Sequence, residues 1–137
     1  MTVVDLFYGV GGLTKGLSNA GLRVVAGIDV DADCEYQFTA NNDASFFVQD
    51  VAAVDGTFIK TLYSRPSVTV LAGCAPCQPF SHYGRAAKNR RSKWSLLADF
   101  ARIVSEVRLD IVTTENVPEV ALHPVFANFV GTLGRVR

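Results

Sequence analysis

Strand-like and helix-like segments alternate along this chain of 137 residues, and this alternation constrains its fold more than any other feature. The strand-like runs are short and rich in Val, Ile and Leu, and most precede a segment with apolar residues at helical spacing. We predict strands at 2–7, 22–29, 46–48, 67–72 and 111–114, and helices at 13–20, 32–41, 56–63, 94–107 and 120–133. Such alternation requires crossover connections and predicts an α/β fold, a Rossmann-like, doubly wound and mostly parallel sheet.

The composition agrees with one compact unit. At 49% hydrophobic residues, the chain is long enough to bury one core, so we expect a single domain over residues 1–137. Its apolar runs are too short to cross a membrane and no leader pattern opens it, so we expect no membrane association and a cytoplasmic location. The three cysteines and two isolated histidines lack metal-ligand spacing, and we predict no metal site.

The charges are segregated along the chain although the net charge is zero. Residues 1–55 carry eight acidic and two basic side chains, whereas residues 82–108 carry seven basic and two acidic ones. A basic stretch can contact phosphates without reading sequence, although a solvated loop is the alternative. The densest basic residues are Arg85, Lys88, Arg90, Arg91 and Lys93.

A glycine-rich turn follows the first predicted strand. Gly9, Gly11 and Gly12 permit backbone geometry and close ligand approach that a side chain would obstruct. The turn does not match the dinucleotide-binding fingerprint, because Thr14 occupies the position of its last glycine. The pattern therefore indicates a nucleotide-type ligand and disfavours a nicotinamide oxidoreductase.

Two carboxylates end the next two predicted strands. Asp29, at the end of the second strand, could accept hydrogen bonds from both ribose hydroxyls, and Asp50, after the third, could accept one from an adenine amino group. The alternative is that each begins a turn or caps a helix. With the glycine-rich turn beside them, we favour contact with an adenosine ligand.

Two reactive side chains follow the fourth and fifth predicted strands. Cys77 lies in a Pro-Cys-Gln turn, where a thiolate could act as a nucleophile; the alternative is a small buried apolar residue. Glu115 lies in a Glu-Asn-Val segment, and its alternative is a surface carboxylate. Carboxyl ends of parallel strands meet at one edge of a sheet, so we expect these motifs and the glycine-rich turn to converge.

The three motifs, in this order, resemble the first, fourth and sixth motifs of the DNA cytosine-5 methyltransferase family. The resemblance implies the sheet of S-adenosylmethionine-dependent methyltransferases, with S-adenosylmethionine as cofactor and DNA as partner. It departs from the family at Asp29, where glutamate is more common. The cofactor-binding residues that it implies are Phe7, Gly9, Gly11, Gly12, Asp29, Asp50, Pro76 and Leu96.

The resemblance also implies the chemistry. Cys77 would add to carbon 6 of a flipped-out cytosine, protonated Glu115 would donate to ring nitrogen 3, and Asn116 would order the turn. The loop after Ser81 would close over DNA, although the family usually has an Asp-x-Arg pair where this chain has 91–93. The nucleic-acid contacts that we predict are Gln78, Ser81, Arg85, Lys88, Arg90, Arg91 and Lys93.

The resemblance spans the whole chain but only the first half of the family pattern. The sheet is therefore expected to be incomplete at the C-terminus, and the chain to be inactive alone, with its uncovered sheet favouring self-association or a second polypeptide that supplies the C-terminal half. A truncated gene product and a split-enzyme subunit both stay open. So do an RNA cytosine-5 methyltransferase of the same superfamily and a noncatalytic S-adenosylmethionine-binding remnant. The target sequence is not predicted.

Overall fold

A computed structural model describes residues 1–63, 68–76 and 95–135. Five strands form one sheet in the order β3-β2-β1-β4-β5, and all four neighbouring pairs are parallel. The strands are β1 (Thr2–Leu6), β2 (Arg23–Asp29), β3 (Ser45–Val48), β4 (Thr69–Gly73) and β5 (Ile111–Thr114). The predicted fold class is confirmed, with a sheet that is parallel throughout these pairs.

Helices connect the strands at the predicted places. They are α1 (Gly12–Asn19), α2 (Glu35–Asn41), α3 (Gly56–Leu62), α4 (Ser95–Val107) and α5 (Pro124–Leu133). Three short 3-10 helices lie at Ala32–Cys34, Val51–Ala53 and Pro118–Leu122. Residues 67 and 94, the first of a predicted strand and of a predicted helix, lie outside the described residues.

The strand order reverses direction between β1 and β4. The chain builds β1, β2 and β3 outward to one side and then returns to place β4 and β5 on the other. In such sheets ligands bind beyond the carboxyl ends of the strands at this switch point. The turns after β1, β2, β4 and β5 therefore belong to one edge of the molecule.

Each face of the sheet has its own apolar cluster. The larger one joins β-strand residues such as Leu6 and Leu71 to Phe100 and Ile103 of α4 and to Phe129 of α5. The smaller one joins strand residues on the other face, Val3, Val24 and Val70, to partly buried side chains of α1. Those α1 side chains are Leu13 and Leu17, which lie four residues apart and so share one face of the helix.

Two predicted helices differ in detail. The segment 32–41 begins as a 3-10 turn, and Asp31 caps it, its Oδ1 accepting from the Asp33 N–H at 3.0 Å. The predicted helix 120–133 is instead divided, because Pro118 begins a 3-10 helix that ends at Leu122 and α5 begins at Pro124. Proline is tolerated at a first helical position since the N–H there has no intrahelical partner to lose.

Among the described residues, no helix is both long and apolar enough to cross a membrane. Their sheet ends at β3 on one side and at β5 on the other. On β5, the Ile111 side chain is 40% exposed to solvent. An edge strand of this kind presents backbone N–H and C=O groups that can form hydrogen bonds with another strand.

Candidate active site

The glycine-rich turn after β1 has an unusual backbone. Phe7, Gly9 and Gly11 have positive φ angles of 57°, 52° and 88°. The Phe7 N–H donates to the Ile28 carbonyl at 2.9 Å, and the Phe7 ring meets the Phe100 ring edge-on with centroids 6.4 Å apart. The left-handed conformation of Phe7, which a non-glycine residue seldom adopts, is thus fixed from both sides.

The glycines of this turn have different roles. A Cβ at Gly11 would lie 2.9 Å from Phe38 Cδ2 and would also collide with Asn42, so packing beneath the turn excludes a side chain there. At Gly9 and Gly12 a Cβ would meet nothing within 4 Å. These two residues therefore border open space, where a ligand can approach the backbone closely.

Asp29 joins the end of β2 to the glycine-rich turn. Its Oδ2 accepts from the Gly9 N–H at 2.9 Å, and its Oδ1 accepts from the Asp31 N–H at 3.0 Å. The turn-starting role that the sequence allowed is therefore present. A carboxylate has about four acceptor positions, so both oxygens keep capacity for ribose hydroxyls.

Beneath the turn lies a buried polar pair that the sequence analysis missed. Asp5 is fully buried in β1, and its Oδ2 accepts from the Thr14 hydroxyl at 2.6 Å. Burial raises the pKa of Asp5 to about 6, against the hydrogen bond from Thr14, which lowers it. The signal was Thr14 itself, since the residue that breaks the dinucleotide fingerprint is the partner of this acid.

Asp50 lies after β3 in a turn that α4 holds. Its Oδ1 accepts from the Ala52 N–H at 2.9 Å, so the capping role that the sequence allowed is present here too. Arg102 of α4 donates to the Val51 carbonyl at 3.1 Å and to the Ala52 carbonyl at 3.4 Å. The Asp50 side chain is exposed, and its adenine contact stays a prediction.

The turns after β4 and β5 are tied to each other. The Cys74 thiol donates to Glu115 Oε2 at 2.9 Å, and Asn116 Nδ2 donates to the Ala75 carbonyl at 3.1 Å. Asn116 Oδ1 also accepts from the Val117 N–H at 2.9 Å, which confirms that Asn116 orders this turn. The thiol contact is new, because the sequence analysis assigned no functional role to Cys74.

The other predicted site residues are placed less completely. Pro76 is exposed in the turn after β4, three residues beyond Gly73, and Leu96 is half-buried in the first turn of α4. Cys77, the predicted nucleophile, lies outside the described residues. So do the predicted nucleic-acid contacts Gln78, Ser81, Arg85, Lys88, Arg90, Arg91 and Lys93.

The chain matches the family model for C-5 cytosine-specific DNA methylases over residues 1–135. It belongs to this family. Relatives include the Type II methylase M.HgiDII of Herpetosiphon aurantiacus, 44% identical over 134 residues that make up 96% of this chain and 38% of the relative. The Type II methyltransferase M.Eco47II of Escherichia coli is 35% identical over 117 residues, 85% of this chain and 27% of the relative. The chain thus spans well under half the length of these relatives.

Solved structures of two further proteins share the fold. A DNA modification methyltransferase encoded within an Escherichia coli prophage superposes with a TM-score of 0.76 at 23% identity, covering 98% of this chain and 38% of that one. Spodoptera frugiperda DNMT2, in a mutant form, also gives 0.76 at 17% identity, covering 98% and 41%. In the part of this chain that the structure describes, no group of three His, Cys, Asp or Glu side chains could hold a metal ion.

Proposed function

We propose that this chain is the cofactor-binding and nucleophile-bearing part of a DNA cytosine-5 methyltransferase that uses S-adenosylmethionine. The observation that carries the proposal is the meeting, at one edge of a parallel sheet, of a glycine-rich turn held by Asp29 and a β4 turn held to Glu115. Cys77 follows that β4 turn directly in sequence. A cofactor bound above the glycine-rich turn and Asp29 would therefore lie beside a base bound above the β4 turn and Glu115.

The charge at this edge suits that cofactor. Asp29, Asp31 and Asp50 place carboxylates around the ends of β2 and β3, where hydroxyl and amino donors of an adenosine would find acceptors. The same carboxylates repel a pyrophosphate and attract a positively charged sulfonium. When bound, S-adenosylmethionine supplies an electrophilic methyl group. We propose that Phe7, Gly9, Gly11, Gly12, Asp29, Asp50, Pro76 and Leu96 line its pocket.

The chain's own residues would activate the cytosine. Carbon 5 of the intact ring is a weak nucleophile, so the Cys77 thiolate first forms a bond to carbon 6. Protonated Glu115 donates to ring nitrogen 3 and stabilises the charge that develops there. After carbon 5 has gained the methyl group and lost its proton, the carbon–sulfur bond breaks and Cys77 leaves as a thiolate.

DNA is the proposed substrate because the chain matches the family model for C-5 cytosine-specific DNA methylases and two of its relatives are named as a Type II methylase and a Type II methyltransferase. The basic residues of 85–93 would contact its phosphates. A second polypeptide, or a second copy, would pair with the β5 edge, where Ile111 is exposed. Size-exclusion chromatography across protein concentrations tests self-association, which a monomer at all concentrations would contradict.

Cofactor binding is tested by calorimetric titration with S-adenosylmethionine. We expect Asp29→Ala to weaken binding at least about tenfold, because hydrogen bonds to a charged group contribute roughly 1.5–3 kcal/mol each. Asp43→Ala is the matched control, an exposed acid outside the proposed pocket whose loss should leave affinity within about twofold. Folded wild-type protein that binds no S-adenosylmethionine would contradict the proposal.

The reaction is tested by trapping the protein on DNA that contains 5-fluorocytosine, with S-adenosylmethionine present. Fluorine blocks removal of a proton from carbon 5, so the Cys77 adduct persists on a denaturing gel. Cys77→Ser should abolish the adduct. One arm adds the remaining part of M.HgiDII, and another replaces DNA with transfer RNA. Trapping on transfer RNA alone would favour the RNA alternative, and no trapping in any arm would favour a noncatalytic remnant.

A further inference from the structure

The contact between Cys74 and Glu115 joins two residues 41 positions apart in sequence. The sheet fixes both backbones, since the Cys74 N–H donates to the Leu6 carbonyl at 3.3 Å and the Glu115 N–H donates to the Gly73 carbonyl at 3.3 Å. With these backbones held, the thiol reaches Glu115 Oε2 at 2.9 Å. The contact therefore follows from the strand pairing of β4 with β5.

The chemical type of this partner matters. Among the described residues, the ion pair observed is Arg102 with Glu106, and no Lys or Arg pairs with Glu115. A cationic partner would hold a carboxyl group in its ionised form, whereas a thiol is a neutral and weak donor. Cys74 can therefore orient the Glu115 carboxyl group without preventing its protonation, which the proposed reaction requires.

We propose that Cys74 is a positioning residue for Glu115, an inference that rests on the proposed function. The carbonyl oxygen of a protonated carboxyl group is a better acceptor than its hydroxyl oxygen, so the thiol's bond to Oε2 favours the carboxyl proton on Oε1. Oε1 is then the oxygen that donates to ring nitrogen 3. Cys74 touches neither cofactor nor base in this role; it acts through Glu115.

The contact is tested first without catalysis. The chain has three cysteines, so the double variant Cys34→Ser, Cys77→Ser leaves Cys74 as the sole thiol, and Cys74 is partly exposed. Its alkylation by iodoacetamide is followed by mass spectrometry from pH 6 to 10. Because a neighbouring carboxylate disfavours the thiolate, we expect adding Glu115→Gln to speed alkylation at pH 8 about threefold or more.

The matched control for this measurement is Glu119→Gln, which removes the same charge from an exposed position in the next 3-10 helix. It should change the rate less than about 1.5-fold. If the alkylation rate rose with both Glu115→Gln and Glu119→Gln, or with neither, the proposal would be overturned. The Glu115 carboxylate would then not interact specifically with the thiol in solution. Circular dichroism checks that each variant is folded.

The second measurement asks what the contact does. In the 5-fluorocytosine trapping assay, Cys74→Ala should slow adduct formation about tenfold, whereas Cys74→Ser, whose hydroxyl also donates, should stay within about threefold of wild type. Affinity for S-adenosylmethionine should be unchanged in both. If adduct formation slowed equally in Cys74→Ala and Cys74→Ser, or did not slow in Cys74→Ala, the proposal would be overturned. A wild-type protein that forms no adduct contradicts the proposed function instead, and the alkylation result still decides whether Cys74 holds Glu115.

Discussion

The two halves of the candidate site are built differently. In the cofactor half, after β1 and β2, the acids are part of the fold: Asp5 is fully buried on Thr14, and Asp29 binds the backbone of the glycine-rich turn. In the chemical half, after β4 and β5, Glu115 is exposed and a single thiol engages its carboxylate among the side chains that the structure describes.

This difference separates stability from chemistry. Asp5 is a buried acid whose desolvation is opposed by hydrogen bonds from Thr14, so its ionisation ties the cofactor half to the free energy of unfolding. An exposed carboxylate contributes little to that free energy and stays accessible to a base. We therefore expect substitutions in the cofactor half to change stability and substitutions in the chemical half to change reactivity alone.

The largest expected effect is the pH dependence that Asp5 contributes. Its folded-state pKa of about 6 lies above the ordinary value of 3.8, so the folded protein binds this proton more tightly and loses stability as pH rises from 4 to 7. At 1.36 kcal/mol per pKa unit, the loss over this pH range is about 2.4 kcal/mol. Asp5→Asn removes the titration, so the unfolding free energy of wild type minus that of Asp5→Asn should fall by this amount in urea melts.

Asp43→Asn serves as the control for that measurement because Asp43 is exposed. Its difference from wild type should vary by less than about 0.5 kcal/mol over the same pH range. If the difference in unfolding free energy between wild type and Asp5→Asn also did not change with pH, Asp5 would titrate normally. The view that the cofactor half depends on a buried acid would then be wrong.

A smaller effect is expected from Gly27, which the sequence analysis passed over. A Cβ there would lie 2.6 Å from Tyr8 Cε1 and 2.9 Å from Phe38 Cζ, so Gly27→Ala overpacks the wall beneath the glycine-rich turn. We expect a loss of about 2 kcal/mol in unfolding free energy.

Gly16→Ala is the matched change for Gly27→Ala. Gly16 lies inside α1, where a Cβ meets nothing within 4 Å, so alanine should stabilise by about 0.5–1 kcal/mol through helix propensity. Thermal melts of the two variants should therefore move in opposite directions. A shift of the same sign in both would mean that packing under the turn is looser than the structure shows.

The smallest effect on stability is expected in the chemical half. Glu115→Gln should change the unfolding free energy by less than about 0.5 kcal/mol, because the side chain is exposed and an amide oxygen can still accept from Cys74. Chemical denaturation at pH 7 measures it. A loss above about 1.5 kcal/mol would erase the contrast between the two halves.

Much of the fold was predictable because its signals are local. β5 was predicted at 111–114 and is found there; α1 shifts by one residue at each end, and α3 ends one residue earlier than predicted. Apolar periodicity and capping residues act within a few positions, so each segment carries its own evidence. The bounds of the last predicted helix, 120–133, were wrong, because a proline-started 3-10 helix comes before α5 and proline both ends helices and begins them.

The amino-acid sequence by itself determined the α/β class, the motif order and the family resemblance, because these depend on short patterns that a strand or turn needs locally. The tertiary structure alone decided that Thr14 meets Asp5, that Asp29 holds Gly9 and that Cys74 holds Glu115. These pairs are 9, 20 and 41 residues apart. The strand order brings the second and third pairs together, and the turn from β1 into α1 brings Thr14 to Asp5. Side-chain hydrogen bonds depend on distances in space that no local pattern encodes.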